Sequence, residues 1–226
     1  MIRKNVKLKE LNRSEIYRYL GYKNTPDDIV RGIIDECEDK IISILTGAYS
    51  WDIFDIAESK DGVEVLNTEL VLTGQSIKTH LTGCKKVVLL CATLGVEADK
   101  LIRQMEFKDM AKALVLDTAA SVAIEQICDE AEHEIKSNFD NWYMTYRFGV
   151  GYGDLSLNYE HIILDILSAG KHIGLYSSEN DTLIPRKSVV CIIGLCDKPL
   201  QKGQKGCITC NMMDRCSFRK QGLKCS

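Results

Sequence analysis

The stretch KDMAKALVLDTAASVAIEQICDEAEHEIK, residues 108 to 136, constrains the fold more than any other segment. It is rich in alanine and holds no glycine or proline, so it predicts one long, uninterrupted helix. Its small residues Ala119, Ala120 and Ala123 allow another element to approach closely.

Around this helix the pattern is mixed. Thr25 before Pro26, Asp27 and Asp28 reads as a helix start, with a capping hydroxyl, proline in the first turn and acids at the positive end of the dipole. Ile29, Ile33, Ile34, Cys37, Ile41 and Leu45 then recur at helical spacing towards Gly47. Residues 62 to 73 read as extended, and 85 to 95, KKVVLLCATLG, as a short buried strand followed by two helical patterns. WYMTYRF at 142 to 148 predicts a strand, 159 to 170 a helix closed by Gly170, and KSVVCIIGL at 187 to 195 a last β-branched strand. Short connections suit antiparallel pairing as well as βαβ crossovers.

With 226 residues, 45% of them hydrophobic and 27% charged, the chain can bury a substantial core. A formal charge of −3 argues against nucleic acid as the main partner, because phosphate binding needs a concentrated positive field. No apolar run approaches the ~18–20 residues of a membrane span, and the N-terminus has no apolar signal-peptide core, so a cytoplasmic protein is expected. His80, His133, His161 and His172 are scattered, without metal spacing or a neighbouring nucleophile.

The strand at 142 to 148 runs into RFGVGYGDLS, residues 147 to 156, where Gly149, Gly151 and Gly153 alternate around Tyr152. Glycine inside an element costs about 0.5–1 kcal/mol relative to alanine, so such a cluster points to positive φ or to a close approach. With the downstream segment HIGLYSSENDTLIPRKSVVCIIGL, this stretch resembles the C-terminal activation (reactivation) domain of cobalamin-dependent methionine synthase, especially its free-standing bacterial form. The family's R-x-x-x-G-Y turn matches Arg147, Gly151 and Tyr152, and its later segment matches Ile173, Gly174, Pro185, Ser188 and Val189. The family's proline pattern and its Pro-Asp-His triplet after Gly-Tyr are absent: here Gly153, Asp154, Leu155 and Ser156 follow.

The resemblance implies an α+β fold, a curved antiparallel sheet with packed helices, over residues 1 to 196. It implies S-adenosylmethionine as ligand and a partner carrying a corrinoid (cobalamin), either methionine synthase or another corrinoid protein, whose Co(II) form is reductively remethylated with the help of an electron donor. Catalysis would be positioning within a methyltransferase system, with no general acid or base. Arg147 would fork onto the ligand's carboxylate, Gly149, Gly151 and Gly153 would bare the backbone, and Tyr152 would offer its ring and hydroxyl. Ile193 and Gly194 fall where the family's last strand gives backbone contacts, and Glu125 where family members carry an acid; a solvated helix face is the competing account of Glu125.

Six of the ten cysteines fall in the last 36 residues. Cys207, Cys210, Cys216 and Cys225 are spaced C-x2-C-x5-C-x8-C within a tail from 197 to 226, a four-thiolate pattern suited to zinc or an iron–sulfur cluster. Metal binding would supply the tail's stability. Cys37, Cys84, Cys91 and Cys128 read as small buried hydrophobes, as does Cys191, while Cys196, on the other face if the strand runs straight through both, reads as a spare metal ligand. The alternative function is a metal-binding redox or adaptor protein that keeps this fold without S-adenosylmethionine.

Overall fold

In the computed structural model, residues 1 to 199 are described. Three long strands carry the fold: β2 (Gly47–Glu58), β5 (Lys86–Thr93) and β10 (Ser188–Cys196), with β5 between the other two. All strand pairs are antiparallel. The outer edge of β2 pairs first with β1 (Ile2–Val6) and further along with β3 (Val63–Val65), which pairs in turn with β4 (Val71–Leu72). The outer edge of β10 takes two short strands, β7 (Phe148–Gly149) at Cys191 and Ile192, and β6 (Tyr143–Met144) at Leu195 and Cys196. The predicted strand at 142 to 148 is therefore two short pairings, with Thr145 to Arg147 between them.

Helices cover both faces, so the central strands are apolar on both sides and show no alternation of polar and apolar residues. On one face Val88, Leu90, Ala92, Cys191, Ile193 and Leu195 pack under α1 (Arg13–Tyr19), α2 (Asp28–Ile44), α4 (Val96–Glu106) and α5 (Met110–Asn138). On the other, Val87, Leu89, Cys91, Val190 and Ile192 meet α3 (Gln75–His80), α6 (Tyr159–Ile166), α7 (Ala169–Ile173) and the β3–β4 hairpin. A separate hairpin, β8 (Tyr176–Ser177) with β9 (Leu183–Ile184), follows α7.

The long helix is α5, and Ala119, Ala120 and Ala123 are buried against the sheet as their size predicts. Gly47 shows how close the approach is, since a β-carbon there would come within 2.7 Å of Ile127 Cδ1. At α2 the cap differs from the sequence expectation: Asp27, not Thr25, accepts from Val30 N at 2.9 Å. The helix ends at Ile44, and Ile29 faces solvent at 78% exposure rather than joining the buried stripe. Gly170 lies inside α7 and does not close α6. Among the described residues no helix is long and apolar enough to cross a membrane.

Candidate functional site

The site is built on the strand that precedes the glycine run. Phe148 pairs with Ile192 and packs into the α6-side core, so Arg147, one residue earlier, turns to the opposite face and reaches α5. Its Nη2 donates to Glu125 Oε2 at 2.8 Å, its Nη1 donates to Asp129 Oδ1 at 2.9 Å, and Glu132 Oε1 lies 3.6 Å from Nε. The three acids are spaced four and three residues apart on α5, which places them on one face of the helix. Burial works against the guanidinium charge, but the neighbouring Cys128 and these carboxylates together outweigh it and hold the Arg147 pKa above its ordinary value. The arginine side chain is only 20% exposed, while Glu125 and Asp129 are 48% and 56% exposed.

The three glycines have different surroundings. Gly151 has φ +83° and its missing β-carbon would come within 2.5 Å of Leu157 Cδ2. Gly153 has φ +62°, and a β-carbon there would meet Ser76 Oγ at 2.5 Å. These two are explained by the loop's own conformation and packing. Gly149 is not: it does not adopt positive φ, and a β-carbon there would meet nothing within 4 Å. Gly149 pairs with Cys191, whose side chain points to the α5 face, and it lies two residues from Arg147. Open space therefore adjoins the Arg147 cluster on the same face of the strand.

Of the other residues singled out in the sequence, Tyr152 packs edge to face on Phe148 at 5.5 Å between ring centroids, against the α6-side core. Ile193 is buried in the α5-side core. Gly194 has its N–H bonded to Thr145 Oγ1 at 2.8 Å and its carbonyl accepting from Thr145 N at 2.9 Å. A β-carbon on Gly194 would fall 2.6 Å from Cys84 Sγ. The structure thus joins Arg147, Glu125 and Gly149 on one face, and sets Tyr152 and Gly194 towards the other.

Sequence reasoning missed Asp129 and Glu132, although their spacing from Glu125 was visible. It also missed Asp154, whose carboxylate accepts from Gln75 N at 2.6 Å and Ser76 N at 2.9 Å and so anchors the glycine loop to the start of α3. These bonds hold the Asp154 carboxyl below its usual pKa. The four tail cysteines, Cys207, Cys210, Cys216 and Cys225, lie outside the described residues. Among the described residues no group of three or more His, Cys, Asp or Glu is placed to hold a metal ion.

No protein-family model matches the chain, and no curated protein matches it in sequence. In fold it is similar to the crystal structure of the MetH reactivation domain bound to AdoHcy, with a TM-score of 0.67 at 12% identity, covering 99% of this chain and 86% of that one. That likeness shows the fold: a mixed α+β domain, with an antiparallel sheet and packed helices, of the reactivation-domain kind.

Proposed function

We propose that this chain binds S-adenosylmethionine beside Arg147 and serves as a stand-alone reactivation subunit for a separate corrinoid protein. The observation that carries the reading is the open space at Gly149 next to a mostly buried arginine whose present partners are exposed acids. An incoming carboxylate can take the place of Asp129 or Glu125 on the guanidinium without leaving that charge unpaired, and a displaced acid returns to water at little cost. The freed acid is then close enough to receive an ammonium group. The fold likeness to a reactivation domain bound to AdoHcy supports the same ligand class.

When bound, S-adenosylmethionine supplies a transferable methyl group, and the protein's part is to hold it. Arg147 fixes the amino-acid end, the backbone at Gly149 gives room, and the α5 acids supply negative charge around a cationic ligand. The partner is a corrinoid protein such as the cobalamin-carrying part of a methionine synthase, engaged transiently through a modest interface.

A second reading, a redox or adaptor protein without the ligand, is favoured by one observation: Arg147 is already satisfied by carboxylates of its own chain. Mixing the protein with a Co(II) corrinoid protein, a reductant and S-adenosylmethionine labelled in its methyl group separates the two. Label appearing on the corrinoid only when this chain is present supports the first. Equal transfer with and without it supports the second.

A further inference from the structure

The strongest unassigned chemistry lies at the far end of the sheet, where β5 begins and β10 ends. Leu195 pairs with Lys86, and Lys85 N donates to the Leu195 carbonyl at 2.9 Å, so the chain at Cys84 runs beside the chain at Cys196. Cys84 leaves the turn after α3, where its N–H bonds to the Leu81 carbonyl at 3.0 Å. Its Sγ occupies the space over Gly194, close enough that any β-carbon at that position would overlap it. Cys196 is two residues beyond Gly194 on the same strand and therefore points to the same face. The Cys84 sulfur and the Cys196 side chain are therefore neighbours over the same end of the strand. Gly194 is the residue that makes this possible, because a larger one would push the Cys84 sulfur away.

The other buried thiols of the described residues sit elsewhere, Cys128 together with Cys191 in the α5-side core. Cys191 faces α5, Cys91 bonds through its thiol to the Ser50 carbonyl at 3.6 Å, and Cys37 bonds to the Lys112 carbonyl at 3.8 Å. Cys84 is partly exposed, whereas Cys196 is 2% exposed. Cys84 is the thiol a reagent reaches first and Cys196 the one placed to resolve the product. Burial pushes both thiols above their ordinary pKa, so the exchange is slow near neutrality and quickens as pH rises.

We propose that Cys84 and Cys196 form a reversible disulfide that locks the end of β10 to the entry of β5. The oxidant is a small linear disulfide. The Cys84 thiolate attacks one of its sulfurs, forming a mixed disulfide and releasing one thiolate. The Cys196 thiolate then attacks Cys84 Sγ and expels the second. Two protein S–H bonds are lost and one S–S bond is formed, and the oxidant leaves as two thiols carrying the two electrons and both protons. The bond would close a loop of more than a hundred residues at the point where the cysteine-rich tail leaves the domain, which restricts the unfolded chain strongly.

The test uses the full chain, folded and reduced, exposed to oxidised glutathione, quenched by alkylation and mapped by mass spectrometry. The expected product is the tryptic peptide starting at Thr79 linked to the one starting at Ser188, with fragmentation placing the bond on Cys196. The link should form at least about tenfold faster in native protein than in denaturant, because the fold holds the thiols together. It should persist in Cys191→Ser, vanish in Cys196→Ser, and raise the apparent Tm until reductant is added. Cys84 recovered only as its glutathione adduct with Cys196 alkylated, or Cys84 linked to a tail cysteine, would overturn the proposal.

Discussion

Arg147 Nη2 lies 2.8 Å from Glu125 Oε2 although the two residues are 22 apart in sequence, and this pair joins the link between β6 and β7 to the middle of the long helix α5. The guanidinium is the less exposed partner, so its removal and the removal of one acid should have different consequences. Arg147→Ala takes away a charge-assisted hydrogen bond worth roughly 1.5–3 kcal/mol to a bound carboxylate, so affinity for S-adenosylmethionine should fall by about 10- to 100-fold. Glu125→Gln keeps Arg147 paired with Asp129 and should alter affinity far less. Equilibrium binding of the two variants, with thermal melts as a check on folding, measures the contrast.

The three glycines should separate by experiment. Gly149→Ala meets open space at an ordinary φ and should leave stability unchanged or raise it by about 0.4–1 kcal/mol. Gly149→Leu should fold normally and bind S-adenosylmethionine at least ~10-fold more weakly, because its side chain takes the space beside Arg147. Urea melts combined with ligand titration check both.

Gly151→Ala should destabilise through positive φ, by about 1–2 kcal/mol, and through contact with Leu157. In a Leu157→Ala background the contact part disappears while the φ part remains, so the cost of Gly151→Ala should be smaller there. A double-mutant cycle of chemical denaturation reads that difference. Equal costs in the two backgrounds would mean that Leu157 does not press on the loop.

Asp154→Ala should cost about 1 kcal/mol, the usual effect of losing a capping carboxylate. The pH dependence has a defined sign. The folded pKa of Asp154 lies below the unfolded value, so its contribution is complete above the ordinary aspartate pKa of ~3.9 and is lost as pH falls through the lower folded value. The stability gap between wild type and Asp154→Ala should therefore be constant near neutrality and narrow only in acid. Denaturant titrations at several pH values check it.

The tail carries a prediction from spacing alone. Protein purified without oxygen should hold metal, as zinc or as iron with broad absorption near ~400 nm, and Cys207→Ser/Cys210→Ser should lose it. Elemental analysis of the two proteins decides the matter.

Much of the sheet was legible because β5 and β10 are apolar on consecutive residues, as strands covered on both faces must be, and α5 because nothing in it interrupts a helix. The strand β2 was not foreseen: its first five residues are buried together and its remainder is half exposed, so GAYSWDIFDIAE shows neither a clean apolar run nor an alternation. The site was legible in part. Arg147 and Glu125 meet, but the glycine pattern merged three causes. Leu157 and Ser76 explain Gly151 and Gly153, and only Gly149 leaves room for something else. Which face of the strand each residue takes depends on the pairing of Phe148 with Ile192, a contact across 44 residues that local patterns do not specify.

Isothermal titration of the folded protein with S-adenosylmethionine, run beside Arg147→Ala and Gly149→Leu, tests the central claim most directly. Saturable binding at one site per chain by the wild type, weakened at least ~10-fold in both folded variants, is the predicted result. No binding by the wild type, or equal affinity in all three proteins, would contradict the account.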